Sequence, residues 1–164
     1  MPLKEDHERA VVKRALEALS VPYTSLRRGA AGVEPDCITK VGDETWGIEH
    51  TTAYYTSGQA RATWTAARDA MLKKQAAVYS CGTIEEFDVR LLNEVARLFS
   101  QKQTKKYSGI DRLILLVHMD AVLTEDDFIK KIVELMRLQN DGSQFSEAWL
   151  GRYQRDGSYR VWKI

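Results

Sequence analysis

The run Leu113-Ile114-Leu115-Leu116-Val117, inside residues 111–119, constrains the fold more than any other stretch of this chain. Successive side chains of a strand point to opposite faces, so an unbroken apolar run needs cover on both. A strand of that kind belongs in the middle of a sheet with helices packed on each side. At 164 residues the chain suits one domain, residues 1–164, with a full core.

The flanking elements follow from periodicity. Val11, Val12, Ala15, Leu16 and Leu19 recur at helical spacing and predict a helix over 5–19. Residues 23–32 read as a polar link. Residues 33–41 and 45–52 read as a hairpin around Gly42-Asp43, both runs being apolar or β-branched. Trp64, Ala67, Met71 and Val78 predict a helix over 59–79. Thr83 caps the next, over 84–105, with Glu86 completing a capping box. Beyond the apolar strand come a helix over 125–138, capped by Thr124, and two strands around Asp156-Gly157. The order is α-β-β-α-α-β-α-β-β: an α/β domain with a mixed β-sheet flanked by helices.

Composition narrows the function classes. Net charge is +1, so nucleic acid could be held by a local patch and not by a whole-molecule field. Cys37 and Cys81 form no metal spacing or disulfide framework, which predicts a reduced, cytoplasmic setting. The first residues lack the apolar core of a signal peptide, and no run of about 18 apolar residues predicts a membrane span. Neither a phosphate loop nor a Gly-x-Ser-x-Gly elbow occurs.

Two carboxylates stand out against this background. Asp36 follows Pro35, whose missing N–H suits a strand start, and Glu49 lies in Gly47-Ile48-Glu49-His50-Thr51. Alternation across an antiparallel hairpin lets both project from one face near its open end. Converging buried carboxylates need a partner, and a hard cation is the usual one. A third acid comes from the first helix. Glu8 falls within about 80° of the apolar stripe, whereas Glu17 points about 180° away, to solvent. Three carboxylates suit Mg²⁺ or Mn²⁺, which would polarise a phosphate and activate water.

The pattern of Pro-Asp, short turn, Gly-Ile-Glu-x-Thr, helices and apolar strand resembles the PD-(D/E)xK nuclease superfamily over most of the chain. The resemblance implies a restriction-endonuclease-like core, metal-dependent hydrolysis of phosphodiester bonds with DNA as the expected substrate, and Glu8, Asp36 and Glu49 as metal-site acids. The family's lysine position is occupied by Thr51, which has no ammonium to offer. Some members take that lysine from elsewhere in the fold. The other implied outcome is a catalytically inactive binding or assembly module of the same shape.

A replacement cation is sought on the helices. Lys40 shares a strand face with Asp36 but lies roughly 13 Å along it. On the helix over 84–105, Lys102 and Lys105 continue the stripe of Phe87, Leu91, Val95 and Leu98. Either these lysines snorkel and favour the helix C-terminus, or this end abuts the acidic site, with Lys102 as the catalytic cation and Lys105 and Lys106 meeting phosphate. Lys74, beside Lys73 and Gln75, is the rival source and a further nucleic-acid contact. Tyr54, Tyr55, Arg61 and the pair Arg27-Arg28 are positioned to touch a strand of nucleic acid. His50 reads as packed, His7 as surface and His118 as a strand-end residue; scattered along the sequence, they make no zinc motif. Trp149, Tyr153, Tyr159 and Trp162 read as core or as a homodimer-forming edge.

Overall fold

The computed structural model describes residues 2–54, 84–119, 126–154 and 156–164. Its elements are α1 (Pro2–Ala18), β1 (Ser25–Arg28), β2 (Cys37–Val41), β3 (Glu44–Ala53), α2 (Ile84–Lys102), β4 (Arg112–Met119), α3 (Asp126–Asn140), β5 (Glu147–Tyr153) and β6 (Tyr159–Lys163). They form an α/β fold with one six-stranded mixed sheet in the order β1-β2-β3-β4-β5-β6. The strands β1 to β3 are an antiparallel meander, β3, β4 and β5 run parallel, and β6 returns antiparallel to β5. The helix expected over 59–79 lies outside the described residues. No helix among the described residues is long and apolar enough to cross a membrane.

The apolar run is the central strand β4, between β3 and β5, and Ile114 to Val117 have no exposed surface. Leu115 and Val117 point into a cluster with Leu91, Val95 and Phe99 of α2 and Ile132 and Met136 of α3. Ile114 and Leu116 point the other way, into a cluster with Val11, Val12, Ala15 and Leu16 of α1 and with Trp149. Two-sided cover is therefore what the sequence pattern required.

Three differences from expectation bear on the site. Residues 25–28, expected as link, form the edge strand β1 opposite Lys40 to Cys37. Only Leu26 in that segment packs on the core, so its hydrophobic pattern was too short to register. The strand β2 begins at Cys37 and not at 33. Residues 30–34 instead close a turn in which the Glu34 carboxylate accepts the Ala30 N–H (2.8 Å) and holds Arg27 through two bonds (2.7 and 2.8 Å). Finally, α2 ends at Lys102, three residues early. The Gln144 side-chain amide donates to the Lys102 and Gln103 carbonyls (3.1 and 3.2 Å), capping the helix and turning the chain.

Candidate functional site

The site is built where β3 outruns its neighbour. The pairing of β2 with β3 stops at Cys37 opposite Ile48, yet β3 continues to Ala53. From there on, the outer N–H groups of β3 need partners that β2 does not supply. Asp36 provides one: its Oδ2 accepts the His50 backbone N–H at 2.9 Å. Pro35 fixes the approach by lying on Gly47, where an added Cβ would stand 2.6 Å from Pro35 Cγ and 3.0 Å from Ile110 Cγ2. Glycine at 47 is thus a condition for seating Pro35-Asp36 against the sheet.

Glu49 sits next to Gly47 on the face that α2 covers, fully buried. The sequence placed Asp36 and Glu49 on one face, and the structure joins them through one ammonium. Lys102 Nζ donates to Asp36 Oδ2 at 2.9 Å and to Glu49 Oε2. Its side chain is 16% exposed, so this is an interior ion-pair network and not a surface one. Lys105 Nζ reaches Glu49 Oε2 from the rim at 3.4 Å. Lys105 lies beyond the helix end, on a turn, and not on the helical stripe expected for it. Lys106 is exposed beside it. The other Glu49 oxygen, Oε1, accepts the Tyr107 hydroxyl. The segment 102–107 therefore delivers three donors to one buried carboxylate.

Electrostatics follow this geometry. Burial raises the Asp36 pKa, but the Lys102 charge and hydrogen bond, with the His50 N–H, outweigh it and hold the carboxyl below its ordinary value. Burial lowers Lys102, and Asp36 and Glu49 outweigh that in turn, leaving the ammonium firmly protonated. Burial and the bond to Glu49 push the Tyr107 phenol up, so it remains a donor. Glu8 projects from α1 with its side chain 17% exposed and pairs with Lys4 at 3.5 Å. Burial, then repulsion from Asp36, raises its pKa, which places it within electrostatic reach of the pair.

Carboxylate oxygens are the donors that a hard divalent cation takes. The two carboxylate oxygens already converge on one cation, the Lys102 ammonium, and Mg²⁺ commonly takes only one or two carboxylates and keeps its waters. Among the described residues, no three histidine, cysteine or acidic side chains stand ready in a metal-holding arrangement. Asp36 and Glu49 would hold the ion, with Glu8 in support. Bound there, it would supply Lewis-acid activation of water and phosphate. Thr51 is half-buried two residues along from Glu49. Lys40 is exposed and bonds Thr45 Oγ1 at 2.6 Å. Lys74, Lys73, Gln75, Tyr55 and Arg61 lie outside the described residues.

Sequence reasoning missed Tyr107 and misjudged the histidines. Tyr107 stood in a link with no periodicity to mark it; its position two residues after Lys105 was the available signal. The three histidines are not scattered in space. His7 is half-buried and not a surface residue, and its ring faces those of His50 and His118 at 6.4 and 6.1 Å between centroids. His50 is packed, as expected, and 4% exposed. Of the aromatic edge, Trp149 is wholly core, while Tyr159 and Trp162 are half-buried on the edge strand β6. No protein-family model and no curated protein sequence matches this chain.

Proposed function

We propose that this chain is a metal-dependent nuclease of the PD-(D/E)xK type that hydrolyses phosphodiester bonds in DNA. The observation that carries the reading is the placement of Lys102 Nζ against both Asp36 and Glu49. A lysine from α2 stands where the side chain of Thr51 has no ammonium to give. In this reading Asp36 and Glu49 hold Mg²⁺ or Mn²⁺, Glu8 supports the ion, and Lys102 neutralises charge on the attacked phosphate. Lys105 and Lys106, at the rim, contact the nucleic-acid backbone. The α1-β2-β3-α2-β4 arrangement supports a restriction-endonuclease-like core, and the edge strand β6 would be the homodimer contact.

One observation favours the non-catalytic module instead. Lys102 satisfies both carboxylates without any metal, so the network is also a complete structural ion-pair cluster. Incubating purified protein with plasmid and with single-stranded DNA in Mg²⁺ or Mn²⁺ separates the two. The nuclease reading expects cleavage that Asp36→Ala, Glu49→Ala and Lys102→Ala each abolish. Absence of cleavage with either metal, together with an unchanged Tm on metal addition, would establish the module.

A further inference from the structure

The chain has three histidines, and α1, β3 and β4 bring all of them together on the face of the sheet opposite Glu49. Their ring centroids form a nearly equilateral triangle with sides of 6.4, 6.1 and 6.3 Å. From these observations we propose that His7, His50 and His118 form a binding site for a borderline divalent transition metal, Zn²⁺ being the reference ion. This site is distinct from the carboxylate pair, and its proposal does not rest on nuclease activity.

Two independent observations point to a ligand. First, both ring nitrogens of His50 are buried, with no hydrogen-bond partner among the described residues. Each is a polar group that is costly to leave desolvated unless something satisfies it. Second, His118 is anchored from outside in the manner of a metal-bound imidazole, whose second nitrogen is commonly held by a hydrogen-bonding group. Its Nδ1 meets the Tyr159 hydroxyl at 3.0 Å, and the Gly151 backbone also reaches the ring. Tyr159 gets there because its phenol lies across Gly151, in the space a Cβ would fill. These contacts hold the His118 ring in place beside His7 and His50.

The distances are close to those a shared ion requires. Centroids of such a triangle lie about 3.6 Å from its centre, whereas an imidazole bound at about 2.1 Å places its centroid about 3.2 Å from the metal. Each ring would move inward by about 0.4 Å and turn about the soft terminal torsion of histidine. Among the described residues no three such side chains stand in a metal-holding arrangement as they are, so binding requires that closure. The chemistry also fits. Imidazole nitrogens select zinc-like ions, as carboxylate oxygens select magnesium. Arg14 is the opposing charge on this face, and it stacks on Tyr153 at 5.1 Å.

Occupancy would pin α1 to the sheet beside the acidic site. His7 adjoins Glu8, and the His50 backbone N–H holds Asp36. Zinc at the histidines would therefore fix the relation between the first-helix acid and the strand acids.

The test uses the full chain, stripped with chelator and titrated with Zn²⁺ and Co²⁺ by calorimetry and visible absorption. One equivalent of Zn²⁺ should bind, with Co²⁺ giving a low-symmetry nitrogen-ligand spectrum. Zn²⁺ at a hundredfold excess over its Kd should raise Tm by about 5–10 °C. His7→Asn and His50→Gln should each weaken binding at least about tenfold, whereas Asp36→Asn with Glu49→Gln should keep it, and excess Mg²⁺ should not displace Zn²⁺. His7→Asn is the safer variant for folding, since that side chain is only half-buried. The proposal is overturned if the folded protein binds no stoichiometric Zn²⁺. It is equally overturned if both histidine variants bind as the wild type does, or if only the carboxylate variants lose binding.

Discussion

Replacing Lys102 by methionine removes the one cation among the described residues that touches both Asp36 and Glu49, while keeping most of the side-chain volume. At about 3 Å and an effective dielectric near 20, each carboxylate contact is worth roughly 5 kcal/mol of gross attraction, and burying the ammonium takes back several kcal/mol. Deleting one partner of a buried pair typically costs about 3–5 kcal/mol, because the other charge stays buried. Lys105 and Tyr107 remain on Glu49, so the lower end applies, about 3 kcal/mol at pH 7. For a domain of this size that is a fall in Tm of about 6–12 °C. The pH dependence adds a sharper check. In the wild type Asp36 is held below its ordinary value, so its contribution is present above the unfolded value near 3.9 and is lost as pH falls through the folded one. In the variant Asp36 faces Glu49 without a shared cation, so the Asp36 carboxyl loses what held its pKa down, and burial raises it above the unfolded value. Such groups cost stability at neutral pH and recover it on protonation, so the gap between variant and wild type narrows from pH 7 to pH 5. Thermal unfolding by circular dichroism at both pH values reads this directly. A fall in Tm under about 3 °C, or an equal gap at pH 7 and pH 5, would refute the ion-pair reasoning.

Three further substitutions probe the same network. Glu8→Gln removes an acid whose pKa burial and Asp36 push up; Tm should rise at pH 7 and match the wild type at pH 4, where Glu8 is protonated folded or unfolded. An equal gain at both pH values would mean that Glu8 is not charged within reach of Asp36. Tyr107→Phe deletes a hydrogen bond to a buried carboxylate and should cost about 2 kcal/mol in denaturant unfolding, with the Glu49→Gln background reducing the effect. Additive losses would show that the two groups do not interact. Gly47→Ala drives a methyl group into Pro35 and Ile110 and should cost about 1–3 kcal/mol. On the nuclease reading it should also weaken DNA cleavage by displacing Asp36; a silent substitution would show that Pro35 has another way to seat.

Much of the molecule could be read from side-chain periodicity. The central strand and the buried stripe of α1 depend on spacing along one element, which a sequence displays directly. Lys102 was also legible, because helical phase carried the apolar stripe of α2 onto it. The short strand β1 was not, since a single packed leucine among arginines carries no period. Tyr107 was hidden for a related reason: it lies past the helix end, where Gln144 rather than any local pattern sets the path of the chain.

The histidines show the division most clearly. By sequence alone His7, His50 and His118 belong to three separate elements, and each could be assigned only to a face of its own. Their convergence depends on parallel pairing of β3 with β4, which sets Thr52 beside His118, and on the packing of α1 over that end of the sheet. The same holds for the acid site, whose cation comes from 53 residues beyond Glu49. Periodicity fixes which way a side chain faces because it is a local property of the backbone. Which side chains meet is decided by strand register and helix packing, and those depend on contacts between residues far apart in the chain.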